Sequence, residues 1–159
     1  MDLLRIEGSV SSGLGRAHVF MAQAHYQEQF KSLLGTTAWP GTLNVTVDGE
    51  ELTQYVALRT LAGVDTPDLD EKELESAAEI DLQHFTSHRI HGFLRDGISF
   101  GGATAFHAII STADEKVDCA VLIPDLTRHT DVVEVISGMF LREGLNLIDG
   151  DHATIELLS

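Results

Sequence analysis

The stretch VDCAVLIPDLTRHTDVVEVI, residues 117–136, decides the fold class. Residues 117–123 form a short apolar run of the length expected for a buried strand, and Pro124, which has no N–H to offer a ladder, ends it. Residues 131–136 then alternate. Successive side chains of a strand point to opposite faces, so Val133 and Val135 share one side and Glu134 takes the other. With the valines toward a core, Glu134 faces outward; with the strand turned over, a carboxyl enters an apolar interior.

The flanking sequence repeats this pattern of short strands and turns. Residues 3–10 are a strand candidate, followed by a glycine-rich loop and a further apolar, strand-like segment at 17–21. Residues 42–47 alternate and are rich in β-branched residues, with Asp48-Gly49 as turn chemistry. Residues 55–61 read as another strand, 93–112 as two strands interrupted at Gly101-Gly102, and 153–158 as a closing strand after Asp149-Gly150-Asp151. One helix is expected over 25–34, where Tyr26, Phe30, Leu33 and Leu34 recur at helical spacing before Gly35, and a helical turn over 140–145. Segment 65–79, dense in carboxylates with Lys72 as its one lysine, reads as an exposed acidic helix or a mobile loop. The fold class is therefore mainly β, a small barrel with one or two short helices.

A chain of 159 residues, 43% of them hydrophobic, is long enough for one domain with its own core. Residues 1–7 carry charges where a secretory leader needs an apolar run, and no segment approaches the roughly 20 apolar residues of a membrane span. A cytoplasmic protein is expected, with no membrane partner. The lone Cys119 precludes an intramolecular disulfide and reads as a small buried hydrophobe. Twenty-five acidic against ten basic residues, a net charge of −15, argue against nucleic acid as a partner. The carboxylates are spread along the whole chain, as on a solvated surface suited to the high ionic strength of a halophilic cytosol.

Several short motifs carry chemistry. Gly13-Leu14-Gly15-Arg16-Ala17 could turn backbone N–H groups and a guanidinium toward an anion, although neither a P-loop nor a dinucleotide fingerprint fits and a hairpin turn also accounts for it. Thr42 and Asn44, two residues apart, share one side of a strand; neutral oxygens of this kind suit a magnesium ion that arrives with phosphates, or simply a capped turn. Glu134, if held in an apolar setting, would have a raised pKa and could act as a general base. Arg142 is a second candidate phosphate partner. His84, His88 and His91 would share one face of a helix, as zinc ligands sometimes do, but the sequence around them reads as a loop entering a strand.

Taken in order, EGSVSSGLGRAHVF, YQEQFKSLLG, PGTLNV, CAVLIPDLTRHTDVVEVIS and FLREGLNLIDGDHATIEL resemble the archaeal CTP-dependent riboflavin kinases, over residues 6–47 and 117–157. The resemblance implies a six-stranded cradle-loop (RIFT-type) barrel that transfers the γ-phosphoryl group of CTP to the 5′-hydroxyl of riboflavin, yielding FMN and CDP. It implies nucleotide binding by Gly13, Leu14, Gly15, Arg16, Ala17 and His18, and by Met139, Phe140, Leu141, Arg142, Glu143 and Gly144. It further implies one Mg²⁺ ion on Thr42 and Asn44, and flavin contacts from Thr127 and Glu134. A catalytic role for Glu134 as base is an inference from its chemistry. Residues 62–115 match no motif of the family and read as a divergent acidic insertion. Some relatives carry an N-terminal helix-turn-helix domain; here the barrel motifs begin at once, so a catalytic unit without a DNA-binding arm is expected. The competing class is a non-catalytic nucleotide- or flavin-binding regulatory barrel.

The charge balance makes a direct prediction. At about 1 M salt the Debye length falls to about 3 Å, so dialysis to low salt should lower the melting temperature. A melting temperature indifferent to salt removes the halophilic reading.

Overall fold

Alternation along the strands builds a closed wall with an apolar lining. The computed structural model describes residues 4–13, 17–64, 66, 69–82, 85–127 and 129–158. Its elements are β1 (Arg5–Ser11), α1 (Ala17–Met21), α2 (Ala24–Leu34), β2 (Leu43–Thr46), α3 (Gly49–Leu61), α4 (Glu71–Ala78), β3 (His88–Ile90), β4 (Phe93–Arg95), β5 (Ile98–Phe100), β6 (Ala103–Ser111), β7 (Lys116–Pro124), β8 (Val132–Ile136), α5 (Leu141–Gly144) and β9 (His152–Leu157). Strands β6, β7, β8, β2, β1 and β9 pair antiparallel in that order, and β6 pairs again with β9, so six strands close a barrel. The short β3 adds to the outside edge of β6, while β4 and β5 form a separate hairpin.

The register shows which face is inside. Phe106 lies opposite Val121, Val121 opposite Val135, and Val135 opposite Leu43, and all four are buried. Ile110, Ile155 and Ile6 make a second such row. Each fully buried side chain of this kind contributes about 1.5–3 kcal/mol. Cys119 belongs to this interior, and burial pushes its thiol up to about 12, in keeping with a structural role.

A second core lies outside the wall. Tyr26, Phe30 and Leu33 of α2 cover Ala105, Ala120, Leu122 and Ile136, the outward residues of β6, β7 and β8. The helix starts and ends where its apolar spacing predicts, with Gly35 in left-handed conformation at its end.

Several expectations need correction. Residues 55–61 are helical, within α3, and Tyr55, Val56 and Leu58 are wholly buried. An apolar run buried on every side has no period to distinguish helix from strand; Glu50 and Glu51 in the first turn and Arg59 in the last were the helical signal. Residues 17–21 are α1 rather than a strand segment. The acidic segment holds a helix, α4, whose N-cap Asp70 accepts a hydrogen bond from the Glu73 N–H. Among the described residues there are five short helices, where one or two were expected, around the mainly β barrel that was expected. Region 62–115 also supplies β6, a wall strand, so its last part is integral to the barrel. His84 lies outside the described residues, and His88 sits on β3, ring to ring with His107, not on a helix. Among the described residues no group of three potential metal-ligating His, Cys, Asp or Glu side chains converges, and no helix is long and apolar enough to cross a membrane.

The two environments predict opposite outcomes for truncation. Phe106→Ala, inside the barrel, should cost about 3–5 kcal/mol in denaturant unfolding. Leu126→Ala, at a position 85% exposed, should stay within about 0.5 kcal/mol. Equal losses would contradict the packing described.

Candidate functional site

The outward face of the wall is polar on one side. Ser11 lies opposite Asn44, and Asn44 opposite Glu134, so three neighbouring strands bring a hydroxyl, an amide and a carboxyl into one row. The row continues through Leu122, opposite Glu134, where the surface becomes apolar beneath α2.

Asn44 and Ser11 are held by hydrogen bonds. The Thr42 hydroxyl donates to Asn44 Oδ1 at 2.9 Å, and Thr46 donates to the Ser11 hydroxyl at 2.8 Å. Gly13 lies against the other end of the Asn44 amide, where a Cβ would come within 2.5 Å of Nδ2. A side chain at position 13 would therefore displace the Asn44 amide, whose oxygen lies beside Thr42. Two oxygens 2.9 Å apart match one edge of an octahedron built on metal–oxygen bonds of about 2.0–2.1 Å. Both oxygens are neutral, so the pair suits an ion whose charge is balanced by a ligand's own phosphates.

A cavity of about 690 Å³ opens over this row. Its polar end is lined by Ser11, Ser12, Gly13, His18, Thr42, Asn44, Glu134 and Arg142. Its apolar end is lined by Phe20 and Met21 of α1, Tyr26 and Phe30 of α2, Ile98 and Phe100 of the hairpin, and Leu122 and Leu126. Phe93 and Phe100 stack at 4.7 Å between ring centres, and Phe93 also packs on Tyr26, which fastens the hairpin to α2. Glu134 sits where the two ends meet. It points out of the barrel but not into open solvent, and burial pushes its carboxyl up to about 7.

Arg142 closes the polar end. Its Nη2 donates to the Ser11 carbonyl at 3.1 Å and to Asp149 at 2.7 Å, and Ser12 donates to the same carboxylate. These two bonds, Ser12 first and Arg142 second, hold Asp149 below the usual carboxylate range. Arg142 also lines a small second cavity of about 40 Å³ with Trp39, Gly41, Thr42, Met139, Phe140 and Leu141. There Trp39 and Phe140 stack at 4.9 Å and 15°.

Of the residues singled out in sequence, Gly13, Ala17, His18, Thr42, Asn44, Glu134 and Arg142 line the 690 Å³ cavity. Met139, Phe140 and Leu141 line its small neighbour. Leu14, Gly15 and Arg16 lie outside the described residues. Glu143 and Gly144 line neither cavity, and nor does Thr127, whose N–H and hydroxyl shape the turn after β7 through Pro124 and His129. Its neighbours Leu126 and His129 face the cavity instead. The apolar lining from α1, α2 and the hairpin was missed. Asp96-Gly97, a turn pair between Phe93-Leu94-Arg95 and Ile98-Ser99-Phe100, was its one local signal.

A protein-family model, CTP-dep_RFKase, described as a domain of unknown function (DUF120), matches residues 10–78 and 68–157. The chain is similar to curated riboflavin kinases of Thermoplasma acidophilum (32% identical over 152 residues) and Methanoculleus marisnigri (34% over 153), in each case over 96% of this chain and 56% of the relative. It is also similar to one of Haloquadratum walsbyi, 29% identical over 98% of this chain and 57% of the relative. The chain thus spans little more than half the length of these relatives.

Glu134 predicts an unusual pH dependence of stability. Folded, it keeps its proton up to about pH 7, whereas the ordinary value is 4.5. The folded state therefore binds more protons across that window, and stability falls as pH rises through it. Glu134→Gln, neutral throughout, should be more stable than wild type at about pH 8 by roughly 3 kcal/mol and no more stable below about pH 4. Parallel pH profiles for the two proteins would show that the carboxyl is not held in this way.

Proposed function

The chain belongs to the CTP-dependent riboflavin kinase family, and from that premise we propose that it transfers the γ-phosphoryl group of CTP to the 5′-hydroxyl of riboflavin, giving FMN and CDP. The observation that carries this reading is the division of one cavity into an aromatic, apolar end and a polar end, with the Glu134 carboxyl at their meeting point. A planar ring fits the first, phosphates fit the second, and the hydroxyl that joins them chemically would lie near the carboxyl. The relatives' curated name, riboflavin kinase, agrees with it.

Phosphoryl transfer asks a protein mainly to align donor and acceptor and to stabilise charge. Thr42 and Asn44 would hold one Mg²⁺ accompanying the nucleotide, and that ion would offset charge on the phosphate oxygens. Arg142, released from Asp149 by a competing phosphate, would bind the same group from the other side. Glu134, ionised on the alkaline side of about 7, would accept the proton of the ribityl hydroxyl. The choice of CTP over ATP rests on family likeness.

Incubation with riboflavin, Mg²⁺ and either CTP or ATP, with FMN separated chromatographically, tests the reading. FMN should form with CTP, and kcat should rise with pH through about 7 and lose that rise in Glu134→Gln. Asn44→Ala should lower kcat about a hundredfold with the fold intact. Flavin binding without any FMN would assign a non-catalytic binding module instead.

A further inference from the structure

The apolar end of the cavity is bounded by two backbone segments that run on past the last pair of the β6–β7 ladder, Ala103 opposite Pro124. One is the strand base at Gly101-Gly102, between the β4–β5 hairpin and β6; the other is the turn at Pro124–Leu126, after β7. Arg89, in the edge strand β3, connects them. Its Nη1 donates to Asp125 Oδ1 at 2.6 Å while Nη2 bonds Oδ2, so the guanidinium takes the carboxylate with both prongs. The Asp125 N–H donates to the Gly102 carbonyl at 3.0 Å. The guanidinium crosses directly over Gly102, where a Cβ would come within 2.4 Å of Nη2. From the other side, the Tyr26 hydroxyl donates to the Gly101 carbonyl at 2.6 Å.

Arg89 and Asp125 do not line the cavity themselves, but Gly101, Gly102, Pro124 and Leu126 do. Leu126 is 85% exposed and has little packing of its own to hold it in place. We propose that the Arg89–Asp125 pair is a positioning clasp, which fixes Leu126 against the strand base at Gly101-Gly102 and so sets the width of the slot that receives the planar ring of the flavin substrate. The clasp rests on the reading that the apolar end takes riboflavin. An ion pair this close to solvent adds little to global stability, so its effect falls on the slot. The mutual shifts agree with a formed pair, since the Asp125 bond holds Arg89 above its ordinary value and the Arg89 bond holds Asp125 below its own.

The test compares Arg89→Met, Asp125→Asn and Arg89→Lys with wild type in the intact chain. Quenching of riboflavin fluorescence gives the flavin Kd, the FMN-forming assay gives the nucleotide KM, and thermal melting reports folding. Arg89→Met and Asp125→Asn should weaken riboflavin about tenfold with the nucleotide KM within about twofold of wild type. Arg89→Lys, which keeps the charge but loses the fork, should fall between. Should Arg89→Met not fold, the other two variants carry the comparison. An unchanged riboflavin Kd in the folded variants overturns the clasp, as does equal weakening toward riboflavin and nucleotide. A wild-type chain that fails to quench riboflavin overturns the flavin reading itself, and the clasp with it.

Discussion

Burial of Val45 against Val133 is the constraint on which the site depends. These two residues face each other inside the barrel with no solvent exposure, and the next pair along the same two strands is Asn44 opposite Glu134. Because the side-chain period of a strand is two, a slip of one residue would turn the valines out and the amide and carboxyl in, so the hydrophobic core itself enforces the register of the polar row. The same logic extends to β1, where Val10 is buried opposite Val45 and Ser11 stands opposite Asn44. The candidate site residues are thus the outward half of an alternation whose inward half folds the protein.

The outward half is then roofed unevenly. Helix α2 lies on Ala105, Ala120, Leu122 and Ile136, small or apolar residues that permit close packing, and leaves the Ser11–Asn44–Glu134 part of the row uncovered by its core. The cavity forms at that boundary. Glu134 is caught there, desolvated enough to titrate near neutrality but still in contact with the polar end. A net charge of −15 makes this local arrangement decisive for a polyanionic ligand. For the ligand proposed above, Arg142 and the backbone near Gly13 would act at contact distance, while salt would screen the scattered surface carboxylates.

How much of this was legible in sequence follows from the range of each interaction. Strands 131–136 and 42–47 could be read because alternation is a local property, strand 117–123 because a short apolar run ended by proline is one too, and the Thr42/Asn44 pair because an i, i+2 spacing fixes a shared side. Glu134 was open to two readings because its strand has two faces and sequence does not say what roofs the outer one. Segment 55–61 was misread because Tyr55, Val56 and Leu58 are buried all round, leaving no polar face to reveal a helical period. The apolar end of the cavity was not legible. Its side chains come from α1, α2, a hairpin and a turn far apart in sequence, and only tertiary closure sets Phe20, Tyr26, Phe100 and Leu126 around one space.

The stack of Trp39 on Phe140 gives the molecule a built-in optical probe. Trp39 is the single tryptophan of the chain, 45% exposed, and lines the small cavity it shares with Arg142 and Thr42. Indole emission therefore comes from one place, beside the polar end and separate from the aromatic residues around the apolar end. A ligand bound beside Arg142 would change that emission through direct contact, whereas one confined to the apolar end would reach it only by energy transfer across the cavity. Occupancy of the two ends can thus be followed separately in the unlabelled, unmodified protein.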